Sequence, residues 1–213
     1  MKNKGFFITF EGGDACGKST QIELLKEYLN KSYPGKVVFV KEPGGTKLGE
    51  KIRNLLLHDL SVQMCGKAEL LLFMASRVEL YEKVIKDALN SGKIVIADRY
   101  YDSTVAYQGS ARNIMPKQKI LSFNRELLDG LTPDITFYLK LSPADAFARI
   151  TDRTADKLES EGLAFQERVA KGYDYVAKKE HSRFCIIDAR NSIEQIHLQI
   201  KNILDKKLKK LDK

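Results

Sequence analysis

The sequence predicts a three-layer α/β fold, in which helices cover both faces of a five-stranded parallel sheet. Five short runs rich in β-branched and aromatic residues alternate with segments whose apolar residues recur at helical spacing. The run at 93–98 is apolar on both faces, as expected of a central strand in a parallel sheet. Alternation of this kind is typical of sheets built from strand–helix–strand units.

Glycines and prolines place the boundaries of these elements. Gly35 precedes the second strand, Gly92 and Gly130 follow helical patterns, and Pro116 and Pro143 stand near the starts of two helices. The predicted strands are residues 6–10, 36–40, 93–98, 134–139 and 183–188. The predicted helices are residues 20–29, 49–58, 68–90, 116–130, 143–153, a segment after 162 that ends near 180, and 201–213.

Length and composition fit a globular protein. At 213 residues the chain can form one α/β domain, and we expect residues 1–213 to do so, with a lid at about 150–162. No apolar run approaches the ~20 residues that span a bilayer, and the N-terminus lacks the features of a signal peptide. Three widely spaced cysteines, Cys16, Cys65 and Cys185, fit reduced thiols of a cytoplasmic protein better than a disulfide framework or a zinc site.

The net charge of +8 is concentrated near the C-terminus. Residues 201–213 contain six lysines and two aspartates, and their apolar residues recur at helical spacing, which predicts a helix with a solvated basic face. The chain has no stripe of interleaved aromatic and basic residues, so nucleic acid is not an expected partner.

The segment between the first strand and the first helix has the pattern of a phosphate-binding loop: Gly12, four residues, then Gly17-Lys18-Ser19. Glycines let backbone N–H groups converge on phosphate oxygens, and the following helix N-terminus adds free donors and a positive dipole end. Lys18 can reach the outer phosphates, and the Ser19 hydroxyl can ligate Mg²⁺. The pattern predicts a P-loop NTPase fold in which the nucleoside triphosphate lies on Gly12, Gly13, Asp14, Ala15, Cys16, Gly17, Lys18, Ser19 and Thr20.

Two residue pairs suit the rest of a nucleotide site. Asp98 ends a buried strand, where it can hold a water bound to Mg²⁺ opposite Ser19, and the adjacent Arg99 can clamp a phosphate. Phe73 and Arg77 are four residues apart on one helix face, which suits stacking on a flat heterocycle and hydrogen bonding to its edge. The alternatives are a structural ion pair for the first pair and a core phenylalanine in the second.

Arg149, Arg153 and Lys157 crowd the end of the helix after the fourth strand and the polar stretch that follows it. Cations on a lid can close over a transferring phosphoryl group, neutralise its charge and exclude water. A solvated charged surface is the alternative interpretation of this run.

Four segments together resemble the bacterial-type thymidylate kinase family: FEGGDACGKST, EPGGT followed by EKIR, LLFMASR, and DRYYDSTVAYQG. The resemblance spans nearly the whole chain, and the last segment is its most specific part. It implies a kinase that uses Mg²⁺ and transfers the γ-phosphoryl group of ATP to dTMP, giving dTDP and ADP. It also implies a homodimer packed through helices, with the apolar surface of helix 68–90 as the candidate interface.

The resemblance also implies roles for matching positions. The implied substrate-binding residues are Phe73, Arg77, Thr104 and Gln108 at the thymine base, Tyr107 beside the deoxyribose, and Arg53 and Arg99 at the acceptor phosphate. The implied catalytic residues are Lys18, Arg99, Asp14, Arg149 and Arg153, and Arg190 is expected to bind ATP.

The sequence does not identify which cation stabilises the transition state. Ala15 and Cys16 occupy the middle of the phosphate loop, so no arginine stands there, and the cation must come from Arg149 or Arg153. Lys157 occupies a position where relatives often have arginine, and lysine cannot make arginine's bidentate contact with a phosphate.

Two other functions remain compatible with the sequence. A kinase for UMP or CMP would use the same phosphate loop, and the sequence does not show the crowding that would exclude a ribose 2′-hydroxyl. A nucleotide-dependent switch or a nucleic-acid-binding ATPase would use the basic tail. The guanine-reading Asn-Lys-x-Asp motif is absent, because Asn30-Lys31-Ser32-Tyr33 lacks the aspartate.

Overall fold

The computed structural model describes residues 5–149 and 156–209. These residues form a sheet of five parallel strands in the order β2-β3-β1-β4-β5, which confirms the predicted fold class. The strands are β1 (Phe6–Glu11), β2 (Val37–Lys41), β3 (Ile94–Asp98), β4 (Ile135–Lys140) and β5 (Phe184–Asp188). Each lies within a residue or two of its predicted bounds.

Helices pack around this sheet. They are α1 (Lys18–Ser32), α2 (Lys47–Leu57), α3 (Gly66–Leu80), α4 (Lys86–Asn90), α5 (Tyr101–Thr104), α6 (Lys117–Leu127), α7 (Pro143–Arg149), α8 (Leu163–Lys179) and α9 (Ile193–Leu208). A π-helical turn, Tyr81–Ile85, joins α3 to α4, so the predicted long helix is continuous over 66–90. Of the described helices, none is both long and apolar enough to cross a membrane.

Alternation along β1 sends its side chains into two cores. Phe6, Ile8 and Phe10 lie in the cluster that contains the buried residues of α1 and α9, whereas Phe7 lies in the cluster that contains those of α3, α4 and α8. Every residue of β1 and β3 is buried. The centre of the sheet is therefore covered on both faces, which is why these strands read as continuous apolar runs.

Parallel pairing brings distant segments to one edge of the sheet. β1 lies at the centre, with Phe10 opposite Asp98 of β3 and Glu11 opposite Tyr138 of β4. Because all five strands run in the same direction, the loops after them meet at their carboxyl ends. The phosphate loop after β1 thus lies beside the segment that follows Asp98.

Two stretches differ from the predicted elements, and a third lies outside the described residues. The sequence did not predict the helical segment at 101–111, where α5 continues into a π-helix, Val105–Ala111. The C-terminal helix begins at Ile193, well before the predicted 201, because Ser192 and Gln195 form a reciprocal capping box at its N-terminus. Residues 150–155, which include most of the predicted lid's first half and the end of the helix predicted at 143–153, lie outside the described residues.

Close packing fixes α8 against the π-helix Val105–Ala111. A Cβ atom at Gly172 would lie 2.6 Å from the Ala106 Cα and 2.7 Å from the Ser110 Cβ, so only glycine lets the two backbones approach this closely. The neighbouring Tyr173 is fully buried as a result, and its hydroxyl contacts the Arg99 side chain. The fold thus uses α8 to hold a residue that the sequence assigned to phosphate binding.

Candidate active site

A cavity of about 540 Å³ opens at the carboxyl ends of β1 and β3, and its size suits small-molecule ligands. The predicted site residues that line it are Asp14, Ala15, Gly17, Lys18, Ser19, Thr20, Arg53, Phe73, Arg77, Asp98, Arg99, Thr104, Tyr107, Gln108 and Arg149. These residues come from five α-helices, the π-helix Val105–Ala111, one strand and the loops between them. The fold therefore gathers the phosphate-loop residues and the predicted base-binding residues around one space.

Some predicted residues lie elsewhere. In the described part of the chain, Gly12, Gly13, Cys16 and Arg190 do not line the cavity. The first three complete the loop behind it, whereas Arg190 is exposed and binds the carboxylate of Asp188 with an N–O distance of 2.6 Å. Arg153 lies outside the described residues.

The phosphate loop has the backbone conformation that its glycines allow. Gly12 and Gly17 have φ angles of +142° and +92°, and a Cβ at Gly12 would lie 2.5 Å from the Leu139 carbonyl oxygen. No side chain of the described residues caps α1, so the N–H groups of its first turn remain for a ligand. The Lys18 amine donates to the Gly12 carbonyl oxygen at 3.1 Å and is thus already inside the loop.

Arg99 connects the phosphate loop to the residues after β3. Its guanidinium donates to the Asp14 carboxylate at 2.5 Å and to the Gly12 carbonyl at 2.8 Å. The Tyr173 hydroxyl accepts a third hydrogen bond at 2.8 Å. The backbone of Arg99 has φ of +69°, a left-handed conformation that is uncommon outside glycine and that occurs at functional sites.

The Asp14 carboxyl lies among cationic groups. Burial raises its pKa, but the charges of Arg99 and Lys18 and the hydrogen bond from Tyr107 outweigh burial, so the pKa lies below its ordinary value. Tyr107 donates to this carboxylate at 3.0 Å. Asp14 therefore stays ionised at neutral pH and keeps Arg99 oriented toward the cavity.

The guanidinium of Arg77 lies at the floor of the cavity and is only 2% exposed. It donates to Glu42 at 2.7 Å, to the Thr104 hydroxyl at 2.9 Å and to the Asn124 carbonyl at 2.8 Å. A buried guanidinium needs such partners, because leaving it unpaired is costly. Since the Thr104 oxygen accepts from Arg77, its own proton is left for another partner.

Phe73, Arg53 and Gln108 lie around the same space. The Phe73 ring packs against the core and also lines the cavity, so its place in the core does not prevent contact with a ligand. Arg53 donates to the Pro43 carbonyl at 2.8 Å. The amide nitrogen of Gln108 donates to Glu69 at 2.8 Å, which leaves its amide oxygen as the atom available to a ligand.

Asp98 and Ser19 offer oxygen atoms that suit Mg²⁺. Within the described residues, the Oδ1 atom of Asp98 is buried without a hydrogen-bond partner, and the residue lines the cavity. Ser19 is exposed at the start of α1. Mg²⁺ prefers a few protein oxygens together with waters and substrate phosphates, and no group of three or more His, Cys, Asp or Glu side chains in the described structure forms a dedicated metal cage.

Comparison with known proteins decides the family. The family model described as thymidylate kinase matches residues 10–200. A thymidylate kinase of Thermosipho africanus is 46% identical over 202 residues, covering 95% of this chain and 98% of the relative. The chain belongs to the thymidylate kinase family.

Two further comparisons agree with this assignment, which confirms the resemblance found in the four sequence segments. A thymidylate kinase of Fervidobacterium nodosum is 47% identical over 201 residues, covering 93% of this chain and 98% of the relative. The crystal structure of thymidylate kinase from Ehrlichia chaffeensis superposes with a TM-score of 0.78 at 38% identity, covering 95% of this chain and 99% of that one. The chain is thus a kinase with the fold of this family.

Lys157 and Arg149, two of the cations at the predicted lid, have different surroundings in the structure. The Lys157 amine donates to the carbonyl oxygens of Leu55 at 3.1 Å and Val62 at 3.0 Å, so it holds the end of α2 instead of facing the cavity. Arg149 lines the cavity and donates to the Ala189 carbonyl at 2.8 Å. Of the lid cations in the described residues, Arg149 is the one that reaches the ligand space.

Sequence reasoning missed the residues that hold the site in place. Glu42 and Asn124 bind Arg77, and Tyr173 binds Arg99, yet none was assigned a role. Glu42 belongs to the EPGGT segment, one of the four that resemble the family, so the resemblance could have pointed to it. Asn124 lies on α6 and Tyr173 on α8, and their distance along the chain from these partners left no local pattern to find.

Glu11, the last residue of β1, is a buried carboxyl that was also missed. It accepts from the Tyr100 N–H at 2.8 Å and contacts the Ser103 hydroxyl at 2.6 Å. Burial and the nearby charge of Asp102 raise its pKa from 4.5 to about 8, and the smaller opposing effects of Ser103, Arg99 and the Tyr100 N–H do not cancel this. Most folded molecules therefore carry a proton on Glu11 at neutral pH.

We expect the Glu11→Gln variant to gain stability relative to the natural protein as the pH rises. Between pH 4.5 and about 8 the folded state holds a proton on Glu11 that the unfolded state has released, so the free energy of unfolding falls as pH rises through this range. Glutamine does not titrate and avoids this loss. Thermal unfolding at pH 6 and pH 8.5 measures the difference in Tm between the two proteins.

The matched control is Glu23→Gln, which removes an exposed carboxyl of α1. Its difference in Tm from the natural protein should change little over the same pH range. Equal pH dependence for Glu11→Gln and the natural protein would show that Glu11 is not protonated in the folded state.

Proposed function

We infer that this cavity carries out the reaction of the family: the chain phosphorylates dTMP to dTDP, with ATP as the phosphoryl donor. This proposal is supported by one observation: a single cavity is lined both by the phosphate loop and by Phe73, Thr104 and Gln108. ATP would place its phosphates on the loop and on Lys18. The dTMP base would lie at the other end, with its phosphate between Arg53 and Arg99.

Phosphoryl transfer in this arrangement depends on positioning and charge. An oxygen of the dTMP phosphate attacks the γ-phosphorus, and the bond to the bridging oxygen of ADP breaks. The attacking oxygen is already anionic at neutral pH, so no strong general base is required. The Asp14–Arg99 ion pair joins the donor loop to the acceptor-phosphate residue, which would keep the two phosphates in line.

Mg²⁺ fits the oxygens at the start of α1 and the end of β3. Ser19 would ligate the ion directly, and the Asp98 carboxylate at the wall of the cavity would hold one of its waters. When bound, the ion supplies positive charge to the ATP phosphates. Arg190 would contact ATP outside the cavity by leaving its exposed ion pair with Asp188, which is weakly held against water.

The hydrogen-bonding groups at the base end match thymine. The Gln108 amide oxygen can accept from the N3–H group, and the Thr104 hydroxyl can donate to the 4-oxo group. Cytosine presents the opposite pattern at both positions, with an acceptor at N3 and an amino group at C4. Phe73 would stack on the ring, and Arg77 would support Thr104 from below.

We therefore expect kcat/KM for dTMP to exceed that for dCMP, CMP and AMP by more than about a hundredfold, which is about 2.7 kcal/mol of differential transition-state binding. ADP release from Mg²⁺-ATP with each acceptor, and with none, measures this. A different preferred monophosphate would remove the base assignments to Phe73, Thr104 and Gln108. Equal ADP release without an acceptor would favour an ATPase or switch.

Arg149 and Lys157 form a matched pair of cation variants. Arg149→Ala should lower kcat about a hundredfold with a smaller change in KM, because Arg149 would neutralise charge on the transferring group. Lys157→Met should mainly lower Tm, since its amine donates to carbonyl oxygens near the end of α2. Single-turnover rates and thermal unfolding of both variants distinguish the catalytic role from the stabilising role. A lower rate for Lys157→Met and only a lower Tm for Arg149→Ala would contradict this assignment. Arg153 remains a proposed second cation of the lid.

We also propose that residues 1–213 act as one kinase domain and form a homodimer in the cytoplasm. Leu48 on α2 and Leu71 on α3 are 48% and 56% exposed, which fits the interface expected on helix 68–90. In the described structure all three cysteines are free thiols, as a reducing compartment allows. Sedimentation equilibrium should give a dimer mass, and Leu71→Glu should shift it toward the monomer. A monomeric natural protein would exclude the interface.

A further inference from the structure

Gln108 is oriented by a carboxylate that does not line the cavity. Glu69 lies in the first turn of α3 and is 8% exposed. Its Oε1 atom accepts from the Gln108 amide nitrogen at 2.8 Å. The guanidinium of Arg112 donates to the same carboxylate, at 3.3 Å to Oε1 and 3.1 Å to Oε2. Glu69 is thus held between a glutamine of the base site and an arginine outside it.

The chemistry of these groups fixes which end of the Gln108 amide faces the cavity. A glutamine amide can turn over with little change of shape, because its oxygen and nitrogen are nearly equal in size. A carboxylate paired with Arg112 only accepts hydrogen bonds, so the amide nitrogen must face Glu69. The oxygen then faces the ligand. An amide turned the other way would place two acceptors together in a buried site, which is costly.

Arg112 also reaches the end of the lid segment. Its guanidinium lies 2.6 Å from a carboxylate oxygen of Glu161, and its Cζ atom lies 5.0 Å from the centre of the Phe165 ring on α8. Glu161 stands just before α8, within the segment expected to form the lid at about 150–162. One guanidinium therefore joins the carboxylate behind the base site to the lid.

We propose that Glu69 is a positioning residue for nucleobase selection: it holds the Gln108 oxygen toward the base, while Arg112 pairs with its carboxylate. This inference rests on the proposed role of Gln108 at the thymine base. It predicts that Glu69, which would not touch the base, determines whether the pocket prefers a ring that donates at N3 or one that accepts there. Thymine and uracil donate at N3, whereas cytosine accepts.

The test is the Glu69→Gln variant, assayed with dTMP, dUMP and dCMP. The new amide can donate as well as accept, so Gln108 is free to turn and present its nitrogen to the base. We expect the ratio of kcat/KM for dCMP to that for dTMP to rise at least tenfold. The ratio of kcat/KM for dUMP to that for dTMP should stay within about twofold of the value for the natural protein, because uracil and thymine both donate at N3. A merely structural defect would lower all three substrates together, and that result would overturn the proposal.

Two control variants separate the contacts. Glu161→Gln removes the charge on the lid side of Arg112 and should keep the natural dCMP-to-dTMP ratio, since the contact between Glu69 and Gln108 remains. In a Gln108→Leu background, Glu69→Gln should no longer change the ratio, because the two residues act through one amide. Independent effects in this double-mutant cycle would contradict the proposal.

Glu69→Met serves if Glu69→Gln fails to fold, since it keeps the length of the side chain without a buried charge. It should raise the dCMP-to-dTMP ratio in the same direction, because Gln108 loses its acceptor. Failure of the proposed function has a different signature, in which the natural protein itself shows no preference for dTMP over dCMP. An unchanged ratio in a folded Glu69 variant of a dTMP-selective natural protein would overturn the positioning role alone.

Discussion

The ion pair between Asp14 and Arg99 is the contact on which the site depends. It joins the loop after β1 to the residue after β3, and the same guanidinium also binds the Gly12 carbonyl and the Tyr173 hydroxyl of α8. The pairing of β1 with β3 brings the carboxyl ends of these two strands side by side. Arg99, which has a left-handed backbone conformation, follows β3 directly, and its side chain reaches the loop after β1. One sheet contact therefore sets the position of the phosphate loop relative to Arg99, the proposed acceptor-phosphate residue, and such a contact can hold two phosphates in a fixed relation.

The base end of the cavity depends on the same physical requirement, that buried charge must be paired. Arg77 of α3 is satisfied by Glu42 from the loop after β2, by Thr104 of α5 and by Asn124 of α6. Such a network fixes the positions of the groups that face a ligand before the ligand arrives, because removing any partner would leave a buried donor or charge without compensation. The positions of the polar groups in this pocket therefore depend on side chains beneath its surface as well as on those that line it.

The sequence predicted the strands and the phosphate loop well and the segment 101–111 poorly, and the difference has a physical cause. β1 and the phosphate loop can be predicted from local sequence patterns: an apolar run, glycines at fixed spacing, and a helical pattern after them. The segment 101–111 is buried on nearly every side and is largely π-helical, so it shows neither an amphipathic face nor the 3.6-residue period. Partners such as Asn124 and Tyr173 are far along the chain from the arginines they bind, and only the tertiary fold brings them together.

Glu11 and Asp14 are only three residues apart, yet their surroundings shift the pKa values of their carboxyl groups in opposite directions. Asp14 contacts Arg99 and Tyr107 and lies near Lys18, so its pKa is lowered, whereas Glu11 is fully buried near the negative Asp102, so its pKa is raised to about 8. With Asp14 ionised and Glu11 protonated, Glu11 adds no negative charge beside Lys18 and Arg99. An ionised Glu11 would add negative charge near Arg99, so a proton on Glu11 favours the attraction of phosphate groups to this end of the sheet.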